Sequence, residues 1–107
     1  MSSLDTMPLV SSLSNDPDML DLVEEFVQML PERVHAIEDA IAANDLSTLM
    51  RLAHQLKGAS GGYGFDTIGQ AAATLEHSAR AADSVAQLTS QVQELVNLCQ
   101  RARATPL

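Results

Sequence analysis

One histidine, one lysine and a run of glycines share a short stretch, Ala53-His54-Gln55-Leu56-Lys57-Gly58-Ala59-Ser60-Gly61-Gly62-Tyr63-Gly64-Phe65. Lys57 is the only lysine of the chain, all five glycines fall between Gly58 and Gly69, and two of the three aromatic residues are Tyr63 and Phe65. Nine of the fourteen acidic residues lie between Asp16 and Asp45, yet none lies from Leu46 to Phe65, where Arg51 and Lys57 are the only charges. A histidine in an acid-free window, with an ammonium group one helical turn away, suits a phosphoryl acceptor. A free imidazole titrates at about pH 6.5, so near neutral pH it is mostly uncharged and offers a lone pair for attack on phosphorus. In-line transfer places charge on the equatorial oxygens. Lys57 can offset that charge, and Gly58 removes the side chain that would otherwise crowd the ring.

These residues must be held by a helix. Leu46, Leu49, Ala53, Leu56 and Ser60 form its inward stripe. Met50, His54, Lys57, Gly58 and Gly61 form a second stripe about 100° around the helix from the first. His54 is therefore expected at the edge of the core, with its far ring nitrogen reaching solvent. Met50, one turn before it, is read as part of an exposed apolar docking patch of the adaptable kind that transient partners use.

Composition narrows the classes available. A chain of 107 residues is one domain with one core. Hydrophobic residues make up 46%, aromatics only 3% and tryptophan is missing, so the core is built from Leu, Val, Ile, Ala and Met in the manner of a helical bundle. The net charge of -8 excludes the Lys/Arg stripe that nucleic-acid binding needs. The single Cys99 cannot form an internal disulfide, and neither a signal peptide nor a membrane-spanning run is evident, which points to a cytoplasmic setting without membrane attachment.

Along the chain, residues 1–15 are read as an N-terminal extension whose short helix or turn caps one end of the core. Asp16-Pro17-Asp18 starts a helix, with an acidic N-cap and proline at the first helical position. Apolar residues recur at Met19/Leu20, Val23, Phe26/Val27, Leu30, Val34, Ile37 and Ile41. Pro31 interrupts that stripe without shifting its phase, which fits a kinked helix or two coaxial pieces. Asn44-Asp45 ends this helix and caps the next. The glycines near Gly61 to Gly64 let the chain leave helical geometry, and Asp66 is expected to cap a third helix through Ile68, Ala72, Leu75 and Ala79. Ser84 and Gln87 have capping-box spacing ahead of Val85, Leu88, Val92, Leu95 and Cys99. No strand alternation or fixed repeat is visible and every loop is short. The expectation is an all-α, antiparallel up-down four-helix bundle over residues 16–103, with helices near 17–43, 46–61, 66–82 and 84–103 and a frayed end at 104–107. Four such faces can satisfy one another within a monomer.

His54-Gln55-Leu56-Lys57-Gly58-Ala59-Ser60, with Gly64 ten residues after the histidine, resembles the signature of histidine-containing phosphotransfer (HPt) domains of multistep two-component phosphorelays. The similarity extends through Leu30-Pro31-Glu32-Arg33 and from Ala40 to Leu46 upstream, and through Ala72, Thr74, Leu75 and Glu76 downstream, covering roughly residues 16 to 103. The resemblance implies a helical bundle in which His54 is phosphorylated on its distal nitrogen, Lys57 stabilises the phosphoryl group and Gly58 admits the partner. Gly64 shapes the following turn, and Gln55, Gly61 and Gly64 join Met50 as docking positions. The chain departs from the family in carrying Phe65 where many members have a small residue, a side chain that can insert into the core instead.

The resemblance further implies a phosphoryl carrier that takes a phosphoryl group from one receiver-domain aspartate and passes it to another. The receiver brings Mg²⁺ and most of the catalytic apparatus, so no cofactor or metal is expected on this chain. Expected partners are response-regulator receiver domains and a hybrid histidine kinase, held weakly and briefly. Two other readings compete with this one. The first is the phosphorylated N-terminal domain of a chemotaxis-type histidine kinase. The second is an unphosphorylated adaptor bundle that blocks receivers or kinases. Metal binding fails on spacing, because His35, His54, His77 and Cys99 supply no close pair on one turn. The glycine-rich run follows a helix rather than a strand and lacks the third glycine of a dinucleotide fingerprint, and GxxxxGK[ST] is missing, so an ATP site is not expected. His35 and His77 are read as solvated, and the acidic run of the first helix as a solvated face.

Overall fold

Apolar residues at three- and four-residue spacing produce four α-helices, α1 (Leu20–Ala42), α2 (Leu46–Gly62), α3 (Asp66–Ala81) and α4 (Thr89–Arg101). The computed structural model describes residues 7–106. Residues 1–6 and Leu107, which hold the first part of the expected N-terminal extension and the last residue of the expected frayed end, lie outside the described residues. No described helix is long and apolar enough to cross a membrane.

The stripe of α1 buries Val23, Phe26, Leu30, Val34, Ile37 and Ala40. Pro31 lies within this helix without ending it, because the buried neighbours Leu30 and Val34 hold the stripe in phase on either side. The helix starts later than the Asp16-Pro17 cap implies. Asp16 accepts the Asp18 N–H on its side chain at 3.0 Å and the Met19 and Leu20 N–H groups on its carbonyl, so residues 16–19 form lead-in turns. A short polar side chain bonding its own backbone competes with the first helical turn in this way.

Asn44, in the left-handed region at φ 51°, closes α1. Asp45 then caps α2, accepting the Thr48 N–H at 3.0 Å and the Thr48 hydroxyl at 2.7 Å. Those two bonds hold the Asp45 carboxyl below its usual range. Two expected caps differ. Phe65, not Asp66, occupies the N-cap of α3, and Asp66 is the first helical residue, where its charge still interacts favourably with the helix dipole. Ser84 makes no side-chain cap. Gln87 reaches back to the Asp83 N–H at 2.8 Å and Asn44 accepts the Val85 N–H at 3.3 Å, so a 3₁₀ turn at Val85–Leu88 precedes α4.

After Arg101 the chain is extended rather than helical. Strand β1 (Leu9–Val10) pairs in parallel with β2 (Ala102–Arg103), Leu9 opposite Ala102 and Val10 opposite Arg103. Two-residue strands are too short to show alternation in a sequence, which is why no strand was expected. Residues 7–15 accordingly contain a strand and turns but no helix.

The core is one cluster drawn from all four helices, with Phe65 in it at 2% exposure. Phe26 stacks on Tyr63 at 5.0 Å and on Phe65 at 5.7 Å between ring centroids, so the three aromatic residues of the chain meet where α2 turns into α3. The helix pair in most extensive contact is α2 with α3. The two helices come together at Gly69, where a Cβ would stand at ordinary contact distance, 3.6 Å from the Lys57 carbonyl and 3.8 Å from the Gly61 nitrogen.

Candidate functional site

The inward stripe of α2 (Leu49, Ala53, Leu56 and Ser60) is buried, and this turns the next stripe to the protein's edge. His54 lies there with 65% of its side chain exposed. On the facing helix α3, Ile68, Ala72, Leu75 and Ala79 are buried, and Glu76, four residues after Ala72, is carried into the same interface with only 8% of its side chain exposed. The Glu76 carboxylate reaches across to α2.

Three partners converge on this carboxylate. Oε2 accepts from His54 Nδ1 at 2.8 Å and from Arg80 Nη2 at 3.2 Å, while Oε1 lies 3.1 Å from Lys57 Nζ. The bond to Lys57 foremost, with help from His54 and against the cost of burial, holds the Glu76 carboxyl below its ordinary 4.5. Glu76 is therefore ionised at neutral pH. An ionised carboxylate only accepts, so the proton of the neutral imidazole is on Nδ1 and the lone pair is on Nε2. The hydrogen bond also sets the ring's orientation. If Nε2 attacks an electrophile, positive charge develops on the ring within 2.8 Å of a carboxylate already in place to offset it.

The remaining positions fall at different depths. A Cβ on Gly58, Gly61 or Gly62 would meet nothing within 4 Å, so these three glycines face open space. Gln55 is exposed beside His54. Met50 is half-buried and packs against the core; among the described residues the exposed large apolar side chains are Met7, Leu22 and Met29. Gly64 takes φ +83° in the turn after α2 and lies under the N-terminal segment: its carbonyl accepts the Ser12 N–H at 2.9 Å, and the buried Ser11 hydroxyl donates to the Tyr63 carbonyl at 2.7 Å. His35 and His77 are exposed elsewhere. Cys99 is buried, which pushes its thiol up to about 12 and leaves it protonated.

Two site residues escape a reading of the motif alone. In the sequence Glu76 is singled out only as part of a resembling stretch, and Arg80 is not singled out. The available signal is a carboxylate four residues after a core alanine, at a position where an apolar residue is expected, with an arginine one turn further on.

Comparison with known proteins agrees with this geometry. A family model described as the Hpt domain matches residues 21–105. Among solved structures, the chain is similar to the crystal structure of the Hpt domain from a sensor hybrid histidine kinase of Shewanella. The two share 27% identity at a TM-score of 0.68, over 76% of this chain and 69% of that one. No curated protein sequence matches. The family match spans His54, Lys57, Glu76 and Arg80 together, on a mostly helical frame that leaves the His54 side chain largely exposed: the chain belongs to the Hpt domain family and functions in histidine phosphotransfer.

Proposed function

We propose that the chain is a phosphoryl carrier whose acceptor atom is His54 Nε2. The observation that carries this reading is the 2.8 Å bond from His54 Nδ1 to the buried Glu76, which leaves Nε2 as the lone-pair nitrogen of a solvent-exposed ring. Nε2 attacks the phosphorus of a receiver's aspartyl phosphate in line. The P–N bond forms as the P–O bond to the aspartyl carboxyl breaks, the aspartate carboxylate is released, and the Nδ1 proton stays in its bond to Glu76. Passing the group to a second receiver reverses these steps.

Lys57 turns its ammonium from Glu76 towards the phosphoryl oxygens, and the open space over Gly58 admits the receiver's aspartate. Gln55 and Gly61 form the surface beside the histidine. Met50 supplies its apolar edge, and Gly64 acts through the shape of the turn. The receiver contributes Mg²⁺, and this chain contributes no cofactor, metal or ATP site. Partners are receiver domains and a hybrid histidine kinase that bind briefly to a cytoplasmic monomer. The frame is read as an antiparallel up-down bundle, because three residues join α1 to α2 and three join α2 to α3.

The test is incubation with phosphorylated receiver domains and Mg²⁺, followed by a search for acid-labile, base-stable label. Label on the wild type that vanishes in His54→Gln supports the carrier. Binding of receivers without label on either protein favours an adaptor.

A further inference from the structure

Arg80 is unexplained by the reading above. It sits in the last turn of α3, where a cation favours the helix dipole, yet its side chain is spent on the oxygen that His54 also uses. Glu76 Oε2 serves Nδ1 of the imidazole at 2.8 Å and Nη2 of the guanidinium at 3.2 Å. One carboxylate thus gathers the chain's single lysine and one of its five arginines in a molecule of net charge -8. With one negative charge against two cations the cluster carries excess positive charge, on the Nδ1 side of the ring whose other nitrogen the phosphoryl group would occupy.

The attachment of Arg80 is loose. Its side chain is 64% exposed and its ion pair is an i,i+4 contact, a type that contributes little in water. A phosphoryl group adds about two negative charges and three acceptor oxygens, and a planar guanidinium binds such oxygens in a bidentate fork better than it binds one shared carboxylate oxygen.

Building on the assignment of His54 as acceptor, we propose that Arg80 is a phosphoryl-binding residue. In the unmodified protein Glu76 holds Arg80 and Lys57 beside the ring. Once Nε2 carries phosphate, Arg80 leaves Oε2 and closes on the phosphoryl oxygens from the α3 side while Lys57 closes from α2. Glu76 keeps Nδ1 throughout, so the two cations move without disturbing the tautomer.

The experiment labels the wild type, Arg80→Gln and Arg80→Lys with phosphoramidate, a small phosphodonor that needs no protein partner. It then measures the hydrolysis rate of phosphohistidine and the ³¹P titration midpoint of the phosphoryl group. The expected result is hydrolysis about three- to tenfold faster in Arg80→Gln, with a higher midpoint because a nearby cation favours the more charged phosphate, and values between the two for Arg80→Lys. Thermal unfolding of the unlabelled proteins separates a dipole role, which would lower Tm and leave both phosphohistidine readouts unchanged. Equal hydrolysis rates and midpoints in all three proteins overturn the assignment of Arg80 while His54 stands. A wild type labelled nowhere, or on a residue other than His54, overturns the acceptor reading and the role of Arg80 with it.

Discussion

Glu76 Oε2 lies 2.8 Å from His54 Nδ1, joining residues 22 apart in sequence on two neighbouring helices. The carboxylate is buried and the imidazole is exposed. One bond therefore decides the tautomer, the ring orientation and the charge available to the phosphohistidine, none of which the histidine settles alone.

Replacing Glu76 separates these contributions. Glu76→Ala removes the acceptor for Nδ1–H and is expected to slow phosphotransfer from a receiver by about ten- to a hundredfold, by analogy with the loss of the hydrogen-bond partner of a metal-bound imidazole. Glu76→Gln keeps an oxygen to accept that proton but loses the charge, so its rate is expected between those of the wild type and Glu76→Ala. Single-turnover kinetics check both, and equal rates for Glu76→Ala and the wild type would remove Glu76 from the mechanism.

The same carboxylate links stability to pH. Its pKa is depressed in the folded protein relative to 4.5, chiefly by Lys57. Its contribution is therefore fully present above the unfolded value and is lost as pH falls through the lower folded value. Denaturant titrations of the wild type and Glu76→Gln are expected to differ by a constant amount above about pH 5.5 and by progressively less at more acid pH. A gap that widens on acidification would reverse the sign and contradict the arrangement.

Gly58 separates folding from function. Glycine in an exposed helix interior costs roughly 0.5–1 kcal/mol relative to alanine, and nothing near Gly58 requires it. Gly58→Ala is expected to raise stability by about that amount in chemical denaturation. A larger side chain, as in Gly58→Phe, is expected to fold and to slow transfer from receivers, because it fills the approach to Nε2. Unchanged transfer in Gly58→Phe would show that the partner arrives from another side.

Gly64 is the opposite case. Its φ of +83° suits glycine, and a Cβ there would collide with the Ser11 hydroxyl and stand 2.9 Å from both the Ser12 nitrogen and the Ser12 hydroxyl oxygen. Gly64→Ala is expected to lower stability by roughly 2 kcal/mol or more, since left-handed backbone alone costs 1–2 kcal/mol outside glycine. A fall in the denaturation midpoint at constant m-value would show this. A neutral result would mean that the N-terminal segment lifts away freely.

Four helices and an outward-facing His54 were readable from the chain alone because both depend on spacing within a few residues. An apolar residue every three or four positions specifies a helix and its buried side, so burial of Leu49, Ala53, Leu56 and Ser60 places His54 at the edge whatever lies across from it. Lys57 and Gly58 follow from the same local geometry, and so does Phe65 entering the core once the turn brings it there. The partner of His54 has no local signature. Whether Glu76 touches it depends on how closely α3 approaches α2 and on the rotation of α3 about its own axis. The tie from Ser11 to Tyr63 spans 52 residues, and the pairing of Leu9–Val10 with Ala102–Arg103 joins the two ends of the chain. Periodicity along a chain says which side of a helix is buried; only packing all the helices together determines which residue of another element meets it.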